Sequence, residues 1–507
     1  MHWRVKMTTK ISALRRSLIS LAGVGGALIA AVVVGVVCAA PIPKLSLVAA
    51  SVDVNPMAVT QSRICPGGLV DILSRNGDAT TFQGFSAPAI AADVVNSTLS
   101  STPLPAPDNA ATDPSFGPSV VSAPPSADSQ TPTLLAAAQA QETSAESISG
   151  LASAACGEGS TDQWLVGGST EVGRNTLIFL SNALDVDATT SLEVFGEKGL
   201  VDAPGMTGIL VKAHSQRIIS LASFVPELVQ PVVHITTVGG QVLASLQQTV
   251  TRVVTPSGVD LVQPGSAPAL VQVIPGVALN GMANQDGEGG VVTSDLAPAI
   301  RVLIPGSVGG EVTATIVPPA GAPIVVKARV EGMHTLQLPF VGVPDGIYTV
   351  EVSAEVPLVA GVRTIQNSVD APAPLTPAAP AAPGAAPAVP AAHSLTGGDF
   401  TWAASASALS AQTLVAVPVG PRPTLTLFNS TTQPTHMTLS QEGQEPRKID
   451  LGSRASTVLE VAAGSKFTLS DAEGVYGAVT YQAVGRGASF ALSPASRLGS
   501  AIRVYSN

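Results

Sequence analysis

The sequence predicts an all-β exported part, built as tandem antiparallel β-sandwich units of immunoglobulin-like (Ig-like) type, behind one N-terminal transmembrane helix. Three observations carry this. An uncharged apolar run fills Ser17 to Ala40. Beyond it Val, Thr, Ser, Ala and Leu dominate, cut by many of the chain's 48 Gly and 41 Pro, a mixture that suits short strands and turns better than helices. A pattern of alternating strands then recurs three times after residue 156, and no long stretch keeps a 3.6-residue apolar period.

Residues 1–16 read as a cytoplasmic tail and 17–40 as a membrane anchor. At 1.5 Å per residue the run reaches about 35 Å, enough to cross a bilayer's hydrocarbon core. Arg4, Lys6, Lys10, Arg15 and Arg16 precede it, and no acid occurs before Pro41. Positive flanks stay inside, which puts the C-terminal bulk on the extracellular side of the cell membrane. A cleaved signal is the alternative, but such a segment has about 7–15 apolar residues, and here Pro41 follows the Cys38-Ala39-Ala40 site. Val37 before Cys38 argues against a lipoprotein, and Arg15-Arg16 read as flanking charges rather than a twin-arginine signal.

Five of the 25 basic residues and none of the 35 acidic ones precede Pro41. The exported part is therefore strongly acidic, which excludes nucleic acid and anionic lipid as its partners. Cys38 belongs to the apolar run, leaving Cys65 and Cys156. Outside the cell a Cys65–Cys156 disulfide is the natural pairing. Its loop of about 90 residues gives an upper stabilisation of roughly 4–5 kcal/mol in chain-entropy models. Two unpaired buried thiols are the alternative.

Residues 41–96 hold N-terminal extracellular strands, at Lys44–Val54 and Ile64–Leu73. Residues 97–155 turn to Ser, Pro, Ala, Asp and Gln, too little apolar content to offset chain entropy, and read as disordered. Thr133–Ser149 reads as a short Ala-rich helix within them. Sandwich units are expected at 156–280, 296–370 and 398–507, with a semi-rigid Pro/Ala linker at 371–397.

In the first copy Thr176–Asn182 is an apolar strand ending in turn residues. Thr190–Gly196 alternates, with Leu192 and Val194 on one face. Val232–Thr237, Gly239-Gly240 and Val242–Leu246 read as a hairpin. The last copy keeps this order from Thr424–Asn429 to the turn at Gly474 and Val475–Tyr481. The middle copy runs from Ala299–Ile304 to Ile347–Ala354, then through Pro357 into Val359–Ile365. Short alternating strands of this kind fit sandwiches; a single β-propeller-like unit is the alternative.

Several phrases accumulate in order: Ile64-Cys-Pro-Gly67, Cys156-Gly157, Asp162-Gln-Trp-Leu165 and Gly173-Arg-Asn-Thr-Leu-Ile-Phe-Leu-Ser-Asn182. Gly258-Val-Asp260, Val273-Ile-Pro-Gly276 and Asp399-Phe-Thr-Trp402 follow. Together the chain resembles the actinobacterial domain-of-unknown-function family fifty-seven nineteen. The resemblance implies a single-pass envelope protein with a large β-rich exported part. It implies no catalytic residues, since the family has no assigned activity. It also points to envelope partners such as a membrane glycosyltransferase or a cell-wall polymer.

The residues themselves offer little chemistry. His214, His234, His334 and His436 fall in strands or turns, with none at metal-ligand spacing. G-x-S-x-G and S-x-x-K are absent. Asp185 and Asp187 read as solvated turn acids, since a glycosidase pair needs a cleft that spacing does not show. Asn284–Gly290 has alternating oxygen ligands and glycines of a calcium-loop kind, but lacks the distal Glu, and reads as a flexible connection. Trp164 and Trp402 are the tryptophans beyond the tail, few for a lectin surface. No catalytic, cofactor or metal residues are assigned. The expectation is a membrane-anchored envelope protein with a non-catalytic interaction or scaffolding role, supporting surface polysaccharide assembly. The alternative is a glycan-binding or glycan-active protein with a site formed between β domains.

Overall fold

The computed structural model describes residues 51–54, 59–72, 81–126, 133–280, 297–339, 342–366, 398–494 and 502–505. The 17–40 run, Cys38, the Asn284–Gly290 loop and the 371–397 linker lie outside these. The described residues are all-β, with two single-turn 3-10 segments at Pro114–Phe116 and Leu221–Ser223. Among them no helix is long and apolar enough to cross a membrane. The chain divides into Met1–Asn55 with Ala501–Asn507, and Pro56–Ser500. In the smaller unit β1 (Ser51–Val54) pairs antiparallel with the last strand, Ile502–Tyr505.

The larger unit holds four modules, each made of two antiparallel sheets. The first comprises β2 (Gln61–Cys65), β3 (Val70–Ile72), β4 (Phe82–Gly84), β5 (Ala89–Val95), β6 (Ser100–Pro103), β7 (Ser119–Ala123), β8 (Leu134–Ser144) and β9 (Ser149–Ala155). Its sheets run β2-β7-β6 and β5-β8-β9, with β3-β4 as an added ribbon. Over the described residues 97–126 and 133–155 this corrects the expectation of disorder, and of a helix at Thr133–Ser149. β8 is covered on both faces: Leu135 and Ala137 pack beside the disulfide, while Ala138 and Ala140 enter the fourth module's core. Small side chains let two layers close on one strand, and that tertiary contact overrides alanine's helix preference.

The second module comprises β10 (Asp162–Val166), β11 (Arg174–Asn182), β12 (Ala188–Gly196), β13 (Gly199–Val201), β14 (Ile209–Val211), β15 (Ser215–Ser220), β16 (Val232–Val238), β17 (Leu243–Arg252) and β18 (Thr255–Val262). One sheet runs β10-β16-β12-β13, with β14 also on β12; the other runs β15-β11-β17-β18. Leu165, Leu192, Val194, Val233 and Ile235 on the first sheet meet Ile178, Leu180, Ala244 and Leu246 on the second. Each such buried side chain contributes about 1.5–3 kcal/mol. The Gly239-Gly240 turn does not make the expected hairpin. β16 and β17 lie in different sheets, because Val233 and Ile235 must face Ala244 and Leu246 across the core.

The third module comprises β19 (Ala269–Leu279), β20 (Ala299–Leu303), β21 (Gly310–Val317), β22 (Ile324–Val330), β23 (Thr335–Pro339), β24 (Gly346–Ile365) and β25 (Phe400–Ala404). β24 serves both sheets. Its first half pairs with β19 and β21, and its second half with β20 and β25. β19 falls inside the span expected for one sandwich (156–280) and β25 inside that of another (398–507), yet both belong here. The Pro/Ala linker therefore interrupts a module between two adjacent strands rather than separating modules. Sequence composition marks an insertion without saying which elements it joins.

The fourth module comprises β26 (Gln412–Ala416), β27 (Thr424–Asn429), β28 (Thr435–Ser440), β29 (Arg447–Leu451), β30 (Ser456–Glu460), β31 (Lys466–Ser470), β32 (Val475–Ala483) and β33 (Arg486–Ala491), leaving β34 as Ile502–Tyr505. Its sheets, β26-β31-β28-β29 and β30-β27-β32-β33, repeat the order of the second module.

The modules close a circle of contacts. The first meets the second where Leu69, Val70, Ile148 and Ala152 pack on Leu177, Phe179 and Val259. The second meets the third through Trp164, Val166, Phe195 and Val232 against Leu303 and Val359. Thr480 Oγ1 donates to Gly276 O (3.0 Å), joining fourth to third. The fourth returns to the first, with Ala138, Ala140 and Leu151 sharing its core.

Candidate functional site

The last strands of the four modules, β9, β18, β25 and β33, meet at one carboxylate. Asp399, just before β25, accepts Phe400 N–H (3.0 Å) and Val259 N–H (3.1 Å) on Oδ1. Its Oδ2 accepts Leu151 N–H (2.8 Å) and Gly487 N–H (3.4 Å). One side chain thus binds backbone from all four modules. A Cβ at Gly150 or Gly258 would stand 2.7 or 2.9 Å from Asp399 Oδ1, so the approach requires glycine there. Burial pushes the Asp399 carboxyl up to about 7, opposed by the Leu151 and Val259 N–H groups and by Arg486. That value would suit a general base, but Asp399 is 2% exposed and its contacts are taken by backbone. It holds structure.

A second buried polar set lies alongside. Asp260 Oδ2 accepts Trp402 N–H (2.6 Å), and Trp402 Nε1 donates to Gln248 Oε1 (2.6 Å). Burial holds Asp260 well above the ordinary carboxylate range, with the Trp402 N–H opposing and Asp399 adding to the rise. Arg301 stands 4.5 Å over the Trp402 ring. From the third module it donates to Gly168 O (2.8 Å), Pro231 O (3.0 Å) and Val229 O (3.3 Å) of the second, and to Gln337 Oε1 (3.1 Å). Burial and Arg363 pull Arg301 well below its usual range. Its four acceptors suit the guanidinium form, which arginine keeps in proteins.

Where the four last strands end, the segments that follow them enclose a groove of about 270 Å³. Gly157, Glu158 and Ser160 follow β9; Gln263 to Ala267 follow β18; Ser405 to Ser407 follow β25; Leu492 to Pro494 follow β33. Asp162, Gln163 and Trp164 of β10 complete the wall. Glu158 is paired with Arg63, and Asp162 Oδ2 lies 3.3 Å from His234 Nε2. Ser266 N–H donates to Ser405 Oγ (3.0 Å), fixing one wall against another. Gln263 Nε2 is buried without a hydrogen-bond partner among the described residues.

Cys65 and Cys156 form a disulfide, with Cα atoms 4.3 Å apart. It ties the end of the first module's opening strand to the residue after its last. The histidines are dispersed. His214 contacts Asp185 (2.7 Å), His436 contacts Asp450 (2.6 Å), and His334 Nδ1 lies 2.7 Å from Gly332 O. His234 stacks on Trp164 at 4.0 Å and lies 2.8 Å from Glu193. Asp187 Oδ1 accepts Ala213 N–H (2.8 Å), a turn contact. Among the described residues no group of three or more His, Cys, Asp or Glu is placed to hold a metal. Trp402 is buried in the core shared by the second and third modules. Asp260, Asp399 and Arg301 carry no chemical motif, since their role is contact between modules; the phrases Gly258–Asp260 and Asp399–Trp402 mark the first two, and no phrase marks Arg301.

Fold and site together define an all-β protein of four two-sheet modules fastened at a buried polar seam. The chain belongs to the Family of unknown function (DUF5719), whose model matches residues 110–464. No curated protein matches. Among solved structures, a tetra-tandem repeat in the extending region of a large adhesion protein is 10% identical, with 85% of this chain and 98% of that one covered, at a TM-score of 0.11. The BSP domain of a biofilm associated protein is 8% identical, covering 90% and 100%, also at 0.11. Likeness at this score carries no argument.

Proposed function

We propose that the protein is a membrane-anchored, exported cell-envelope scaffold without catalysis of its own, supporting surface polysaccharide assembly. In this reading residues 17–40 hold it in the cell membrane, the N-terminus is cytoplasmic, and the modules are Ig-like sandwiches presented outside. The observation that carries it is the Asp399 seam. Its titratable groups are sealed within the contacts between modules, an arrangement that suits a rigid platform rather than turnover. The uncharged run with its basic flank supports the topology. The partners in this reading are other envelope proteins, such as a membrane glycosyltransferase, or the cell-wall polymer. Affinity purification of the tagged full chain from membranes, together with incubation on labelled cell-wall fractions, tests it. Recovery of a membrane glycosyltransferase without polymer turnover is expected; release of labelled product, abolished by one carboxylate substitution, would overturn it.

A further inference from the structure

From the groove where the four last strands end, we infer a binding site for a neutral, polyhydroxylated ligand, a saccharide residue. All four modules contribute to its wall, which places it at the junction of domains where ligand sites concentrate. The lining is rich in hydroxyls, with Ser160, Ser266, Ser405, Ser407 and Ser493, and carries the carboxylates of Glu158 and Asp162. Ionised carboxylates only accept hydrogen bonds, so the wall asks for a ligand that donates several.

Charge narrows the class. No lysine lines the groove or arginine within it; Arg63, beneath the wall, is 4% exposed and committed to Glu158. Phosphate or carboxylate ligands would meet two acids and no accessible cation. A cationic ligand gains little from Glu158, which Arg63 already matches, and meets a single remaining carboxylate at Asp162. A neutral donor-rich ligand remains. The Asp162 side chain is 61% exposed, so its carboxylate can accept from a ligand hydroxyl, and a hydroxyl can both donate to it and accept from a neighbouring serine. Trp164 is already stacked with His234 and Phe195, so recognition rests on hydrogen bonds rather than ring stacking.

This inference deepens the scaffold reading, whose partners include the cell-wall polymer, and it can fail alone: recovery of a glycosyltransferase without turnover would still support the scaffold if no saccharide bound the groove. The test uses detergent-solubilised full chain on an array of neutral oligosaccharides of hexose, pentose and deoxyhexose units. Phosphorylated and uronic-acid oligosaccharides and a random decapeptide set form the comparison arms. Binding to neutral oligosaccharides is expected, reduced at least tenfold by Asp162→Ala, which removes an exposed acceptor from the wall. Ser407→Trp, at an exposed wall position, should obstruct the groove equally without touching a buried contact, with an unchanged melting temperature. Failure of every neutral oligosaccharide to bind, preference for the anionic or peptide arm, or binding that survives Ser407→Trp would each overturn the assignment.

Discussion

The second and fourth modules solve one problem twice in the same way, while the third solves it differently. In the second, Asn182 Nδ2 donates to Val186 O (2.8 Å) and Val211 O (3.2 Å), and its Oδ1 accepts Leu184 N–H (2.9 Å). In the fourth, Asn429 donates to Gln433 O (2.7 Å) and Gly452 O (3.0 Å) and accepts Thr431 N–H (2.9 Å). Even the left-handed residue opposite recurs, His214 at φ 49 and Arg454 at φ 51. Both modules cross between sheets at a glycine of positive φ, Gly239 or Gly474. The third crosses within the continuous strand β24. Its final strand, β25, is not held by a tight turn but follows the segment 367–398. Lengthening a two-residue connection to that extent costs about 2 kcal/mol in closure entropy. The module with the longest final connection supplies Asp399, Trp402 and the Arg301 clamp. Tertiary hydrogen bonds replace the missing hairpin.

The largest effect should follow Asp399→Ala, which strands four buried N–H groups. At about 1–3 kcal/mol each when unsatisfied, a loss of at least about 4 kcal/mol is expected in urea denaturation of the full chain. An effect below 1 kcal/mol would remove the seam from the comparison. Asp399 also sets a pH slope. Its folded carboxyl is raised to about 7 above the ordinary unfolded value, so the native state holds more protons between about pH 4 and 7. Stability from this group is then fully present below pH 4 and lost as pH rises towards 7. Asp399→Asn should flatten that part of the curve, measured as melting temperature against pH.

Arg301→Met comes next, with about 2–4 kcal/mol lost because three carbonyls of the second module lose their donor. Cys65→Ser with Cys156→Ser should cost about 2–4 kcal/mol, read by chemical denaturation. Asn182→Ala and Asn429→Ala should each cost about 1–2 kcal/mol. Equal values, within 0.5 kcal/mol or so, would confirm that the two corners are energetic as well as geometric repeats; a large gap would break the equivalence.

Much of this architecture was legible. Alternation at Leu192 and Val194, and the Asn-to-Gly order repeated from Asn182 and Asn429, gave the strands of the second and fourth modules, because period-2 burial and turn residues are local signals. The first module was not legible. β8 is built of Ala and Gln, and its strand state depends on Gln139 pairing with Gly67 and Gln141 with Leu69, partners distant in sequence. For the same reason nothing local gives Asp399 its role: Leu151, Val259 and Gly487 come together around it only in the finished fold. The groove wall is made of four connecting segments, each unremarkable alone.

The position of Asp399 also fixes a timetable. A chain made from its N-terminus completes β9 and β18 well before residue 399 is added, yet the Leu151 contact spans 248 positions. Contacts so far apart form slowly, and until then two nearly complete modules wait with unclosed inner edges. Closure of the seam therefore waits on a single acid late in the chain, whatever the earlier strands have already formed.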